Sequence, residues 1–155
     1  MRIPQNESHW AEVGVALDGK TALVTGATDG LGKEVARQLA ALGAFVIVHG
    51  RDAQRGAQVV DAIRAQGKGG AVFRQADFGS LAEVRSFADW AAARPGGLDL
   101  LINNAAATVG ERRMSADGFE LAFAVNHLAH FLLSQLLLPA LEANAPARIV
   151  NVSSL

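Results

Sequence analysis

Short, nearly unbroken apolar runs alternate along the chain with longer stretches in which apolar residues return every three or four positions. The runs fall at residues 21–25 (TALVT), 45–48 (FVIV), 71–74 (AVFR), 98–102 (LDLLI) and 148–152 (RIVNV). Runs this short and continuous fit strands covered on both faces, as in parallel sheets. The stretches between them read as helices. Leu31, Val35, Leu39 and Leu42 form one stripe, and Val59, Val60 and Ile63 a second that breaks at Gly67-Lys68-Gly69-Gly70. Leu81, Val84, Phe87, Ala88 and Ala91 form a third, stopped by Pro95-Gly96-Gly97. A long fourth helix is expected over about residues 119–144, with Pro139 near its end able to kink it. Strand–helix alternation of this kind makes right-handed βαβ units, hence an α/β domain with helices on both faces of a doubly wound parallel sheet. Residues 1–17 show no period and read as an extension, which assigns the domain to residues 18–155.

Composition narrows the class. With 155 residues, half of them hydrophobic, the chain can build one domain around its own core. Fourteen basic against fifteen acidic side chains give a net charge of −1, so no nucleic-acid partner is expected. The absence of cysteine removes disulfides, zinc ribbons and thiol nucleophiles. Tyrosine is absent too, and lysine occurs only at Lys20, Lys33 and Lys68. The N-terminal segment lacks the apolar centre of a secretory signal, so a cytoplasmic location is the expectation. The longest stretch without Asp, Glu, Lys or Arg, residues 121–141, carries Asn126, His127, His130, Ser134, Gln135 and Pro139. It is expected to be a buried helix and not a membrane span. His127 and His130 lack a third ligand nearby, so no metal site is expected.

The most informative segment follows the first run: Thr25-Gly26-Ala27-Thr28-Asp29-Gly30-Leu31-Gly32. Its glycines allow positive φ and close backbone approach to a ligand, and the helix start offers unpaired N–H groups to a diphosphate. It is not a P-loop, because Gly26 to Gly32 is one residue too long and Glu34 follows Lys33 where a hydroxyl should stand. Nor is it G-x-G-x-x-G, since Val35 occupies the third glycine position. What remains, T-G-x-x-x-G-x-G between a strand and a helix, suits a dinucleotide better than a purely structural turn.

In this spacing the chain resembles the short-chain dehydrogenase/reductase family, and four further motifs agree in order. Asp77-Phe78 after the third strand matches the family's adenine contact. Asn103-Asn104-Ala105-Ala106 is similar to its N-N-A-G element, with Ala106 in place of glycine. Residues 125–131 (VNHLAHF) resemble the variant of the retinol-dehydrogenase-like branch, and residues 148–154 (RIVNVSS) the strand that delivers a catalytic serine. The resemblance implies a Rossmann-type sheet with five strands ordered 3-2-1-4-5, truncated from a seven-stranded one. It leaves the domain incomplete at the C-terminus and the fifth strand as an open edge, so marginal stability and self-association are expected. It further implies that Gly26, Thr28, Asp29, Gly30, Leu31, Gly32, Asp77, Phe78, Asn104 and Ala105 contact the cofactor.

The position where an acid would select NAD is Gly50, and Arg51 follows it. A guanidinium fork suits a 2′-phosphate, so NADP is expected over NAD, with Asp29 and Asp52 opposing that phosphate. The activity implied is hydride transfer between NADP(H) and a small carbonyl or alcohol. Asn126 and Ser154 carry over as catalytic residues, Ser154 being preferred to Ser153. The family's tyrosine and lysine, a Y-x-x-x-K beyond the serine, have no counterpart in this sequence. Three readings therefore stand: an oxidoreductase represented by its N-terminal portion, a non-catalytic dinucleotide-binding module or pseudoenzyme, and a structural fragment without ligand. A homo-oligomer through the helix at 119–144 is the alternative to that helix covering its own sheet.

Overall fold

The computed structural model describes residues 16–108 and 110–153. Five parallel strands form one sheet: β1 (Thr21–Val24), β2 (Phe45–Gly50), β3 (Gly70–Gln75), β4 (Leu100–Asn103) and β5 (Arg148–Asn151). Their order is β3-β2-β1-β4-β5, as the resemblance implies. The helices between them are α1 (Gly30–Ala41), α2 (Ala53–Gln66), α3 (Leu81–Ala92) and α4 (Leu121–Ala143).

The continuous apolar runs are explained by two cores, one on each side of the sheet. Successive strand side chains point to opposite faces. Leu23, Ile47 and Leu101 therefore join Phe78, Phe87, Leu133 and Leu137 beneath α3 and α4. Val24, Val46, Val48 and Ile102 join Ala36, Ala40, Val59, Val60 and Ile63 beneath α1 and α2. Asp29, Asp52 and Ser80 cap α1, α2 and α3 by accepting backbone N–H bonds.

Four details depart from the sequence reading. The buried face of α1 is Gly32, Ala36 and Ala40, one position out of phase with the expected stripe, and Leu31 is 61% exposed. Small residues win there because they let the helix axis approach the sheet. The long helix carries Pro139 through to Ala143, and its irregularity lies instead in a π turn at Ala124–Leu128. Leu17 belongs to the domain: its N–H donates to Leu42 O at 2.8 Å and its side chain packs on the second core. The rest of the expected extension, residues 1–15, lies outside the described residues. Finally, the fifth run, read like the others as a strand covered on both faces, is exposed at all four residues of β5, at the open edge the resemblance implies, whereas β4 is covered.

By length and apolar content α4 is sufficient to cross a membrane. In the fold, its stripe of Ala129, His130, Leu133, Leu137 and Leu141 is buried, and α3 packs against it.

Candidate functional site

Between the C-terminal ends of β1 and β4 the strand order reverses, which opens a crevice at the carboxyl edge of the sheet. A cavity of about 490 Å³ lies there. Gly26, Thr28, Asp29, Gly30, Leu31 and Gly32 line it from the glycine loop, Arg51 from the end of β2, Asp77 and Phe78 from beyond β3, and Asn104 and Ala105 from beyond β4. Every residue expected to contact the cofactor thus faces one cavity.

The loop is shaped by close approaches that exclude side chains. Gly26 has φ +62°, and a Cβ there would lie 2.7 Å from the Cα of Ala105. A Cβ on Gly32 would run into Asn104 Nδ2 and Gly26 O. Asp29 accepts the Gly30 N–H at 2.8 Å, while the amides of Leu31 and Gly32 fall in the helix's first turn, which has no internal partners. A cradle that a Cβ at Gly26 or Gly32 would fill, bordered by the first-turn amides of α1, fits the diphosphate of a dinucleotide.

Thr25 ties this loop to the segment after β4. Its Oγ1 accepts the N–H groups of Asn104 at 2.8 Å and Ala105 at 2.9 Å. Asn104 Nδ2 in turn donates to Thr25 O at 2.9 Å and Gly26 O at 3.3 Å, so its amide group holds the cradle together. The Thr25 hydroxyl also lies 3.0 Å from His130 Nε2. His130 Nδ1 is 3.3 Å from Asn126 O, a contact that takes a proton on Nδ1, so Nε2 and Ile102 O, the latter 3.3 Å from Thr25 Oγ1, compete for the single Thr25 hydroxyl proton. Burial pushes the pKa of His130 down, consistent with that neutral form.

The adenosine side of the cavity differs from the expectation in two respects. Phe78 lines it, yet its ring is 2% exposed and stacked on His49, so it is a floor and not a free wall. Arg51 is exposed and is joined by Arg55, which the sequence reading missed. Arg55 pairs with Asp29 at 3.1 Å and Asp52 at 3.5 Å, so both acids expected to oppose a phosphate share one guanidinium. The available signal was an arginine one helical turn after Arg51. Gly50 cannot carry a side chain without displacing Thr28, whose Oγ1 would sit 2.8 Å from the new Cβ.

Asn126 lies across the sheet end, in the π turn. Its Oδ1 accepts from Ala107 N at 2.7 Å and its Nδ2 donates to Ala107 O at 3.2 Å, so the amide bridges to the chain beyond β4. It lines a second cavity of about 510 Å³ together with His127, His130, Ser134, Asn151 and Ser153. Ser154 lies outside the described residues. No group of three metal-ligating side chains occurs among the described residues.

Comparisons with known proteins agree with this geometry. The short chain dehydrogenase family model matches residues 20–155. Retinol dehydrogenase 12 of Homo sapiens is 45% identical over 141 residues, covering 90% of this chain and 45% of that protein. This chain therefore spans just under half the length of that relative. Among solved structures, a metagenomic short-chain oxidoreductase in complex with NADP superposes with a TM-score of 0.80 at 34% identity, covering 90% of this chain and 64% of that one. A 7α-hydroxysteroid dehydrogenase complexed with NADH and 7-oxo glycochenodeoxycholic acid gives a TM-score of 0.78 at 36% identity, covering 90% and 55%.

Proposed function

The chain belongs to the short chain dehydrogenase family, in its retinol-dehydrogenase-like branch, and from that premise we propose that its cleft binds NADP(H) in preference to NAD(H). The observation that carries this reading is the cradle at residues 26–32, where a Cβ at Gly26 or Gly32 would meet its neighbours, Gly30 takes a positive φ, and the helix start borders the cavity. The choice of NADP rests on Gly50, which presents no carboxylate, and on Arg51 and Arg55, which line the same cavity. Solved relatives carry either cofactor, so the arginines make the distinction here. Calorimetric titration with NADPH and NADH tests it. Tighter binding of NADPH is expected, and Arg51→Ala should narrow that gap; equal loss for both cofactors contradicts a phosphate role.

When bound, the cofactor supplies or accepts a hydride at its nicotinamide ring, with a carbonyl or alcohol as the other partner. The protein's own share is orientation and proton handling. The first-turn amides of α1 would hold the diphosphate, the Thr25–Asn104 bonds keep the loop against the segment after β4, and Asn126 fixes that segment beside the second cavity. In the whole protein, Asn126 and Ser154 would act in the substrate region. No tyrosine exists among the 155 residues to serve as proton donor, so this chain on its own should bind cofactor without turnover. A chain that oxidises or reduces any alcohol or carbonyl at a measurable rate contradicts it.

We also propose that α4 is a core helix and not a membrane span, on the support of its buried Leu133, Leu137 and Leu141. Its outer face, with Phe131 at 61% and Leu138 at 39% exposure, is the surface proposed for a homo-oligomer.

A further inference from the structure

The corner where β1 gives way to the glycine loop is anchored by a side chain as well as by backbone. His49 sits at the cleft end of β2 and is 2% exposed. Its Nδ1 lies 3.2 Å from the Gly26 nitrogen and accepts that N–H. Its Nε2 lies 3.1 Å from Ala76 O, which only a protonated ring nitrogen can satisfy. The two contacts fix one form of the ring: a proton on Nε2 and a bare Nδ1. The next amide, that of Ala27, donates to the His49 carbonyl at 2.8 Å. One residue therefore receives two successive N–H groups of the loop.

The ring is also locked in place. It stacks on Phe78 with centroids 3.9 Å apart and meets Phe87 edge-on at 4.9 Å, so it cannot swing away without disturbing the core. Gly26, the residue it holds, lies so near the Ala105 backbone that a Cβ on it would sit 2.7 Å from the Ala105 Cα. There the anchored amide sets the course of the chain into the cradle.

We infer that His49 is a positioning residue for the dinucleotide: a neutral imidazole acceptor that anchors the Gly26 amide and so sets the cradle for the diphosphate. This deepens the cofactor reading above and rests on it. The ring's neutrality is supported by its burial, which pushes its pKa down to about 4. The charged and titratable groups facing it are His130 from α4, Asp77 from beyond β3 and Arg51 from the end of its own strand; α3 presents the Phe87 ring.

Two readouts test the inference. Nitrogen NMR of the unliganded chain should show His49 with a pyridine-like Nδ1 and a protonated Nε2, unchanged at pH 5.5, with the Gly26 amide protected from exchange. A charged ring or the opposite tautomer at that pH overturns the inference. The second readout is NADPH affinity in two complementary variants. His49→Phe keeps the stack and deletes both the acceptor for Gly26 and the donor to Ala76, whereas His49→Asn keeps an acceptor oxygen in the Nδ1 position and loses the stack and the Ala76 donor. The expected order is wild type, then Asn, then Phe, with the Phe variant about tenfold weaker than wild type. Its affinity for adenosine 2′-monophosphate, which lacks the diphosphate, should be unchanged. A Phe variant that binds NADPH like wild type, or loses both ligands equally, overturns the inference. Should that variant not fold, the ring signature and the Asn variant still decide: an Asn variant that loses both ligands equally overturns the inference. A wild-type chain that binds no NADPH sinks the cofactor reading, whereas wild-type binding with an indifferent Phe variant sinks this inference alone.

Discussion

Arg55 Nη1 lies 3.1 Å from Asp29 Oδ2, joining the start of α2 to the cap of α1 across the mouth of the cleft. The same guanidinium reaches Asp52, so the acids that flank the cleft bring a cation with them. Removing Arg55 should therefore do more than delete one positive charge. Arg55→Ala leaves Asp29 and Asp52 facing a 2′-phosphate unscreened. NADPH affinity should fall about tenfold while NADH affinity changes little. Calorimetry with both cofactors checks this.

Gly32→Ala tests the cradle itself. The added methyl runs into Asn104 Nδ2 and Gly26 O, so the loop must open. Affinity for NADPH should drop at least about tenfold, measured by the fluorescence of the bound nucleotide. Adenosine 2′-monophosphate should bind nearly as before.

Thr25→Val keeps the shape of the side chain and removes its hydroxyl. The Asn104 and Ala105 amides and the His130 ring lose their partner together. The expected destabilisation is about 3 kcal/mol, read from the urea midpoint, with Thr25→Ser close to wild type.

Acid should weaken the fold through its histidines. Burial holds both His49 and His130 below the usual imidazole pKa, His49 at about 4. As pH falls below about 6.5 the unfolded chain takes up protons that the folded chain refuses. Stability should therefore be level above that pH and decline toward pH 4, by about 3 kcal/mol at most for His49. Urea denaturation at a series of pH values measures it, and His49→Phe should flatten the decline.

The sheet and the cradle were legible because their causes are local. Strand runs such as Phe45-Val46-Ile47-Val48 are apolar on both faces because both faces are covered. The glycine spacing is dictated by close approaches at Gly26 and Gly32 that tolerate no Cβ and by the positive φ of Gly30. What was not legible depends on partners distant in sequence. In α1, Val35 and Leu39 of the expected stripe pack on the core only at its margin, because close packing on the sheet selects Gly32, Ala36 and Ala40 for full burial. The roles of His49 and Arg55 appear only once β3, α1 and α2 are placed beside them. The π turn around Asn126 has no signature in the residues that form it.

The exposed apolar residues of β5, with Val152 just beyond it, carry their own expectation. Ile149, Val150 and Val152 are each about two-fifths exposed, and β5 pairs only with β4 among the described residues. The 155-residue chain should self-associate with rising concentration, and Val150→Lys should suppress it. Sedimentation of both proteins over a concentration series checks the point.

The most direct test of the whole account is a crystal of this chain grown or soaked with NADPH. The account predicts the diphosphate seated against the Leu31 and Gly32 amides, with the 2′-phosphate toward Arg51 and Arg55. Nucleotide density elsewhere, or none in a well-folded chain at saturating NADPH, would contradict it.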